Sequence, residues 1–105
     1  MNDYQLSKYC KDIAIEIANK CDDFEDAMVQ AYETADGSEY VIYHYKAHLL
    51  CMGCNTDLGE DYLQDMGEPR SGWTYDTFAS AIAYGEIHGR IYHEISRIFE
   101  GKEDQ

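Results

Sequence analysis

Three residues with metal-binding side chains follow a helical spacing in the middle of the chain. His44, His48 and Cys51 are four and three positions apart, which places them on one face of a helix, and Cys54 completes a Cys-x-x-Cys pair. Imidazole and thiolate groups are common ligands of structural zinc, which takes four of them. A small metal-stabilised regulatory domain is therefore one hypothesis, although there is no second short metal-like spacing and His48 also fits an apolar stripe. We favour packing roles for these side chains and expect no metal or other cofactor.

Catalytic chemistry has less support in the sequence. The same histidines and cysteines could form a nucleophile–base pair, but the chain lacks a glycine-rich phosphate loop and a nucleophile elbow. Carboxylates are too numerous to define one acid–base pair. A chain of 105 residues also leaves little room for a substrate cleft. We therefore do not expect an enzyme.

The distribution of charge is the most informative feature of the chain. Between Cys21 and Pro69 there are twelve carboxylates and one basic residue, Lys46, so this segment carries −11 of the formal charge of −13. Self-repulsion of this size opposes compactness. The negative charge also argues against direct binding to nucleic acid or to anionic membranes, because both require a basic surface on the protein. An apolar content of 45% nevertheless favours a folded chain.

Some of these carboxylates have a structural explanation. Asp22 with Glu25, and Asp57 with Glu60, fit capping boxes at helix starts, where negative charge also suits the helix dipole. A solvated face could account for the others, but such a face normally interleaves lysines with its carboxylates. We predict that the others bind a partner with a basic surface. They are Asp23, Asp26, Glu33, Asp36, Glu39, Asp61, Asp65 and Glu68.

Tyrosines near these carboxylates are candidate anchors for the same partner. Tyr32, Tyr40, Tyr43 and Tyr62 have the amphipathic side chain that is enriched at binding hot spots. Core packing is the alternative interpretation for each of them.

Apolar periodicity predicts an all-α fold, a single domain of four to five helices. The predicted helices cover 3–20, 22–35, 38–52, 57–66 and 74–100. Asp3 is the predicted N-cap of the first helix, Thr74 or Asp76 begins the last one, and 101–105 form a frayed tail. Residues 40–45 are rich in β-branched and aromatic types, so an α+β fold with a short strand there is the alternative.

The last predicted helix carries a row of small residues. Ala81, Gly85 and Gly89 recur every four positions, and each glycine costs about 1 kcal/mol relative to alanine inside a helix. We expect close approach of another helix along this row, which could also support a homodimer. The predicted buried stripe of this helix comprises Phe78, Ala81, Ile82, Gly85, Tyr92, Ile95 and Phe99.

The sequence contains no segment that resembles a signal peptide. No stretch approaches the roughly 20 apolar residues of a membrane span. Without an export signal, the four cysteines are expected to be reduced thiols. We therefore expect a cytoplasmic protein without membrane contact.

One segment resembles sequences of a known kind. Residues 35–48, ADGSEYVIYHYKAH, are similar to a stretch found in small, uncharacterised bacteriophage proteins. In size and acidity the chain also resembles the anti-restriction and anti-CRISPR inhibitors of phages, several of which are DNA mimics. This resemblance implies action in the cytoplasm of a bacterial host, against a basic nucleic-acid-binding complex. It implies no particular site residue.

Overall fold

Helix α5, Tyr75–Glu103, is the element on which the other helices pack. The structure is a computed structural model that describes residues 1–67 and 71–103, with the backbone alone at 102 and 103. A helix of 29 residues is about 43 Å long, close to the 48 Å of the longest dimension of the molecule. Helix α5 runs to Glu103, so residues 101–103 continue the helix instead of beginning the predicted tail.

Four shorter helices precede α5. They are α1, Asp3–Lys20; α2, Phe24–Asp36; α3, Glu39–Met52; and α4, Thr56–Asp65. The all-α prediction is confirmed, with no strand in the described part of the chain. The alternative of a strand at 40–45 is wrong, because these residues form the first turns of α3.

Two predicted N-caps are displaced by one residue. Helix α1 is capped by Asn2 and not by Asp3, because the Asn2 carboxamide accepts from the backbone N–H of Gln5 at 2.9 Å and the Gln5 side chain accepts from that of Asn2. Helix α2 is capped by Asp23 and not by Asp22. The Asp23 carboxylate accepts a hydrogen bond from the backbone N–H of Asp26 at 2.8 Å. Asp23 therefore has a structural role that we had assigned to its neighbour.

The predicted capping box of α4 does not form. Asn55, two residues before Asp57, accepts hydrogen bonds from the backbone N–H groups of Asp57 and Leu58 at 3.0 and 3.2 Å. An amide oxygen satisfies these donors as well as a carboxylate does. Asp57 is therefore not needed as a cap, and its side chain is exposed.

The centre of the core is built from branched side chains of α5. Ile87, Ile91 and Ile95 are fully buried, and fully burying such a side chain stabilises a fold by roughly 1.5–3 kcal/mol. Leu6 and Cys10 of α1 belong to the same cluster, to which α2 contributes only alanines. The predicted stripe on α5 is partly wrong, because Ile87 and Ile91 were not in it. One predicted member, Tyr92, is 44% exposed.

An arginine of α5 ties the start of α1 to α3. The Arg90 guanidinium donates to the carbonyl oxygen of Asp3 at 3.1 Å, to Ser7 Oγ at 2.6 Å and to the Glu86 carboxylate at 3.2 Å. It also lies 3.3 Å from Asp3 Oδ1 and 6.0 Å from the centre of the Tyr45 ring. The Tyr45 hydroxyl donates to the same Asp3 oxygen at 2.5 Å. Three helices are therefore held together at one point.

A serine at the α2–α3 junction fixes where α3 begins. Ser38 occupies the N-cap position of α3 without a side-chain cap bond. Its buried hydroxyl instead donates to the carbonyl oxygen of Thr34 at 2.6 Å and lies 3.0 Å from the Tyr9 hydroxyl. The start of α3 is therefore attached to both α1 and α2.

Gly85 of α5 and Gly59 of α4 allow these two helices to pack closely. A Cβ at Gly85 would lie 2.7 Å from ring carbons of Tyr62, so the tyrosine ring occupies the space that this glycine leaves. The expected close approach at Gly85 is therefore made by a side chain of α4. Ala81 is buried and only Gly89 of this row is exposed, so the row does not offer a free face for the homodimer we had considered.

Substitutions at two glycines should have opposite effects on stability. A Cβ at Gly59 would lie 2.6 Å from Phe78 Cβ and 3.0 Å from its Cα, and backbone cannot move aside easily. We expect Gly59→Ala to lower the free energy of unfolding by about 1–2 kcal/mol, because overpacking outweighs the gain in helix propensity. Gly89→Ala meets nothing within 4 Å and should raise it by up to about 1 kcal/mol. Urea unfolding followed by circular dichroism measures both; a stabilised Gly59→Ala would contradict the packing.

The Asp3 carboxylate should contribute stability that depends on pH. The Tyr45 hydroxyl and the Arg90 guanidinium hold the pKa of Asp3 below its usual range, so its contribution is present above about pH 4 and lost as the pH falls further. Because Asp3 is largely exposed, we expect Asp3→Asn to cost only about 0.5–1 kcal/mol at pH 7. The difference from the wild type should shrink towards pH 3 in urea titrations. A difference that stays constant over this range would show that the charge of Asp3 is irrelevant.

Candidate interaction surface

The predicted partner-binding carboxylates lie on the outside of the molecule. Seven of the eight are exposed, and Glu68 lies outside the described residues. The seven are Asp23, Asp26, Glu33, Asp36, Glu39, Asp61 and Asp65.

Helix α4 carries a row of three carboxylates. Asp57, Asp61 and Asp65 are four residues apart, all exposed, and so follow one another along one face at intervals of about 6 Å. Like charges with this spacing destabilise a helix by a few tenths of a kcal/mol per pair. Asp57 belongs to this row, although we had assigned it to a cap. Among the described residues, these three side chains form no hydrogen bond or ion pair, so the helix packing seen there does not depend on them.

Helix α2 contributes a second set of carboxylates with mixed roles. Asp26 and Glu33 are seven residues apart and share an exposed face. Asp23 caps the helix, so its acceptor is already used by the backbone. Asp36 lies beside Tyr84, where burial and then this carboxylate raise the pKa of the tyrosine hydroxyl. Among the predicted partner-binding carboxylates of α2, Asp26 and Glu33 are therefore the two whose side chains have no structural role in the described part of the chain.

The basic side chains that the structure describes do not pair with these two sets of carboxylates. In the regions the structure describes, arginines and lysines pair with carboxylates of α1 and α5, such as Asp12, Glu16 and Glu94. Lys46, the one basic residue of the acidic segment, reaches from α3 to Asp76 of α5 at 2.7 Å. We call five of the exposed carboxylates of α2 and α4 the acidic surface, namely Asp26, Glu33, Asp57, Asp61 and Asp65.

The residues considered as zinc ligands do not come together. Among residues 1–67 and 71–103, no group of three or more histidine, cysteine or carboxylate side chains could hold a metal ion. The His44 ring packs against Tyr40, with ring centres 4.2 Å apart, and His48 stacks on Tyr45 at 5.9 Å. Both histidines therefore have aromatic partners, and the metal-stabilised alternative loses the site on which it depended.

The four cysteines are free thiols with different surroundings. Cys10 is buried, lies 3.7 Å from the carbonyl oxygen of Ile87, and has its pKa raised to about 12 by burial. A thiol with so high a pKa is unreactive at neutral pH. Cys51 is the exposed member of the four.

An exposed apolar face on α3 is the feature that sequence reasoning did not identify as a unit. Tyr40 and Tyr43 are 73% and 68% exposed, and Leu50 is 40% exposed. Together with the exposed Ala47 and Cys51 they recur at helical spacing along the solvent side of α3. We call these five residues the α3 stripe. Its signal in the sequence is that α3 contains only two charged residues in fourteen, Glu39 and Lys46.

The other two predicted anchors differ from Tyr40 and Tyr43. Tyr62 is half-buried over Gly85 and serves the contact between α4 and α5. Tyr32 is about half exposed, and its ring lies 4.0 Å from that of His88. Core packing was therefore the correct interpretation for Tyr62.

His88 occupies an aromatic site between α2 and α5. Its ring centre lies 4.0 Å from that of Tyr32 and 6.5 Å from that of Tyr84. Its Nε2 is buried without a hydrogen-bond partner among the described residues. Burial lowers the pKa of His88, and the nearby Asp36 carboxylate only partly opposes this effect. The neutral imidazole is therefore the form that the fold accommodates.

Stability should fall as His88 is forced to take up a proton. Because its pKa is lower in the folded state, the unfolded chain binds this proton first, and the free energy of unfolding should decrease below about pH 6.5. We expect His88→Phe, which keeps a ring in the site, to reduce the loss between pH 7.5 and 5.5 in urea titrations. His93→Phe, at an exposed position of α5, is the control and should keep the wild-type loss. An unchanged pH dependence in His88→Phe would contradict this assignment.

We compared the chain with known protein families, proteins and structures. No protein-family model, curated protein or solved structure matches the chain. Within the described residues, none of the helices combines the length and apolar character needed to cross a membrane.

Proposed function

We propose that this chain is an acidic inhibitor of the bacteriophage type, without enzymatic activity, that acts in the cytoplasm of a bacterial host. It docks on the basic groove of a nucleic-acid-binding defence complex and blocks the access of DNA or RNA. The observation that carries this proposal is the acidic surface, whose carboxylates are exposed and pair with none of the described basic side chains.

Electrostatics explains how such a surface would compete with nucleic acid. A groove lined with lysine and arginine attracts a uniformly negative surface, which raises the association rate and rejects basic or neutral competitors. The formal charge of −13 on 105 residues supplies this field. Binding of this kind weakens as salt is added, because exposed charges are screened beyond about 8 Å at physiological ionic strength.

The spacing of the carboxylates limits how literally the surface copies DNA. The row on α4 places one charge every 6 Å or so, whereas one strand of duplex DNA places a phosphate about every 3.4 Å along the axis. One helix therefore has roughly half the charge density of one strand. We infer that the combined negative field of α2 and α4 competes with nucleic acid for the basic groove. DNA mimicry, in which the carboxylates would reproduce the phosphate positions, is the most specific version of this mechanism.

Neutralising the acidic surface should abolish partner binding without unfolding the chain. The test variant neutralises four of the five carboxylates of the acidic surface, with Asp26→Asn, Glu33→Gln, Asp61→Asn and Asp65→Asn. It leaves Asp57 and the cap Asp23 unchanged. Immobilised wild type should retain DNA-binding proteins from nuclease-treated bacterial lysate at about 50 mM salt and release them by about 500 mM. The test variant should retain at least tenfold less of them. The helical circular dichroism spectrum should not change, because all four side chains are exposed.

A second variant with the same net charge separates the position of the charges from their number. It carries Asp12→Asn, Glu16→Gln, Glu94→Gln and Glu100→Gln, all on α1 and α5. Both variants change the net charge from −13 to −9, since each loses four carboxylates. We expect this control to retain the same proteins as the wild type. Equal retention by the test variant and the wild type, or retained proteins that do not bind DNA or RNA, would contradict the proposed function.

A further inference from the structure

The α3 stripe is an apolar face that the fold itself leaves uncovered. Helix α3 buries Val41 and Tyr45 on its inner side, and the contact of Tyr45 with Asp3 and Arg90 fixes the rotation of the helix about its axis. The stripe therefore cannot turn inward without breaking this junction. Two of its tyrosines are more than two-thirds exposed, which is unusual for side chains that bury large areas when they have a partner.

The surroundings of the stripe are negative. Glu39 is the only charged residue on the exposed side of α3, because Lys46 is mostly covered and paired with Asp76. Exposed Asp36 precedes the stripe by four residues, and exposed Asp57 follows it by six. The nearest exposed charged residues along the chain, before and after the stripe, are therefore carboxylates.

The size of the stripe shows that a partner must extend beyond it. Fourteen residues of helix make a face about 21 Å long and about 10 Å wide, or roughly 200 Å² in projection. A stable interface buries about 800 Å² on each side. Most of the contact must therefore be made with the flanking surface, and two copies of this chain would place carboxylates against carboxylates there.

We propose that the α3 stripe is the apolar centre of the docking surface, and that its occupant is a protein surface with an apolar patch bordered by lysines and arginines. Tyr40, Tyr43 and Leu50 supply the desolvated centre, and the neighbouring carboxylates pair with the basic rim. This inference rests on the proposed function and deepens it, since it states what the partner needs besides positive charge. Charge alone would not distinguish one basic protein from another, whereas an apolar centre does.

A synthetic probe represents this chemistry in a defined form. It is a fluorescein-labelled amphipathic helical peptide about 18 residues, or about 27 Å, long, with leucines on one face and lysines on the other. Two companion peptides replace every lysine by glutamate, or shuffle the sequence so that the leucines do not share a face. Fluorescence anisotropy should show the leucine–lysine peptide binding at least tenfold more tightly to the wild-type chain than either companion does.

Matched variants locate the binding to the stripe. Tyr43→Gln with Leu50→Gln removes two apolar side chains from the stripe, and Tyr4→Gln with Ile15→Gln removes two exposed apolar side chains from α1. We expect the first variant to bind the peptide at least tenfold more weakly and the second to bind it like the wild type. Equal binding by the first variant and the wild type would overturn the inference.

A footprint on the unmodified chain makes the test independent of folding defects. Cys51 belongs to the stripe and is exposed, whereas Cys21 lies at the end of α1, beyond its last residue Lys20. A saturating amount of the leucine–lysine peptide should slow alkylation of Cys51 by iodoacetamide at least fivefold and leave Cys21 unchanged, as read by mass spectrometry. An unprotected Cys51 under saturation would place the peptide elsewhere and overturn the inference.

Two further outcomes would reject the stated occupant. If the leucine–glutamate peptide bound as tightly as the leucine–lysine peptide, the partner would not need a basic rim around its apolar patch. A dimer in sedimentation velocity that is lost in Tyr43→Gln with Leu50→Gln would make a second copy of this chain the occupant. Failure of the proposed function alone would look different, because the variant with a neutralised acidic surface would still retain its nucleic-acid-binding partners while the stripe variant lost them.

Discussion

Burial of apolar side chains on one central helix is the constraint on which the rest of this structure depends. Helix α5 supplies the large side chains of the core, Ile87, Ile91 and Ile95, and the helices around it supply complementary surfaces. Helix α2 contributes only alanines, at 27, 31 and 35, which permit close contact but bury little area. Each outer helix therefore packs on the core through one narrow stripe of buried residues. The composition of its other faces is left free.

That freedom explains why the outer faces can be so unlike an ordinary protein surface. Alternating lysines and carboxylates on α2 and α4 would stabilise the helices, but the carboxylates of the acidic surface have no basic partner among the described residues. Polar residues on the outside of α3 would suit water, but Tyr40, Tyr43 and Leu50 stand there instead. Both choices work against the isolated molecule. A partner of the kind proposed above would offset both costs on binding.

The positions of the helices could be predicted because each outer helix has one buried side, which gives its apolar residues a clear period. The caps could not, because Asp22 and Asp23 are chemically equivalent candidates and only the path of the backbone selects Asp23. The burial pattern of α5 failed for another reason. Its neighbours change along its length, with α4 near Phe78 and α1 and α2 near Ile91, so no single stripe describes it.

The candidate surface was predicted in part. Exposure of the carboxylates followed from their charge, since burying an unpaired carboxylate is very costly. Which side of α3 faces water could not be decided from the sequence, because its residues are apolar on nearly every side. The Arg90–Asp3–Tyr45 junction settles this, and it joins residues up to 87 positions apart in the chain.

Contacts between residues far apart in the chain, such as those of this junction, also constrain folding during synthesis. The contacts of α1 with α5, such as Cys10 with Ile87, span more than seventy residues, so they form only when α5 has left the ribosome. Until then α1 to α4 lack the helix on which they mainly pack, so their apolar side chains stay exposed. The carboxylates between residues 22 and 65 would repel those of other nascent chains that are translated from the same messenger RNA. The unbalanced charge is therefore also a safeguard against aggregation before the central helix is made.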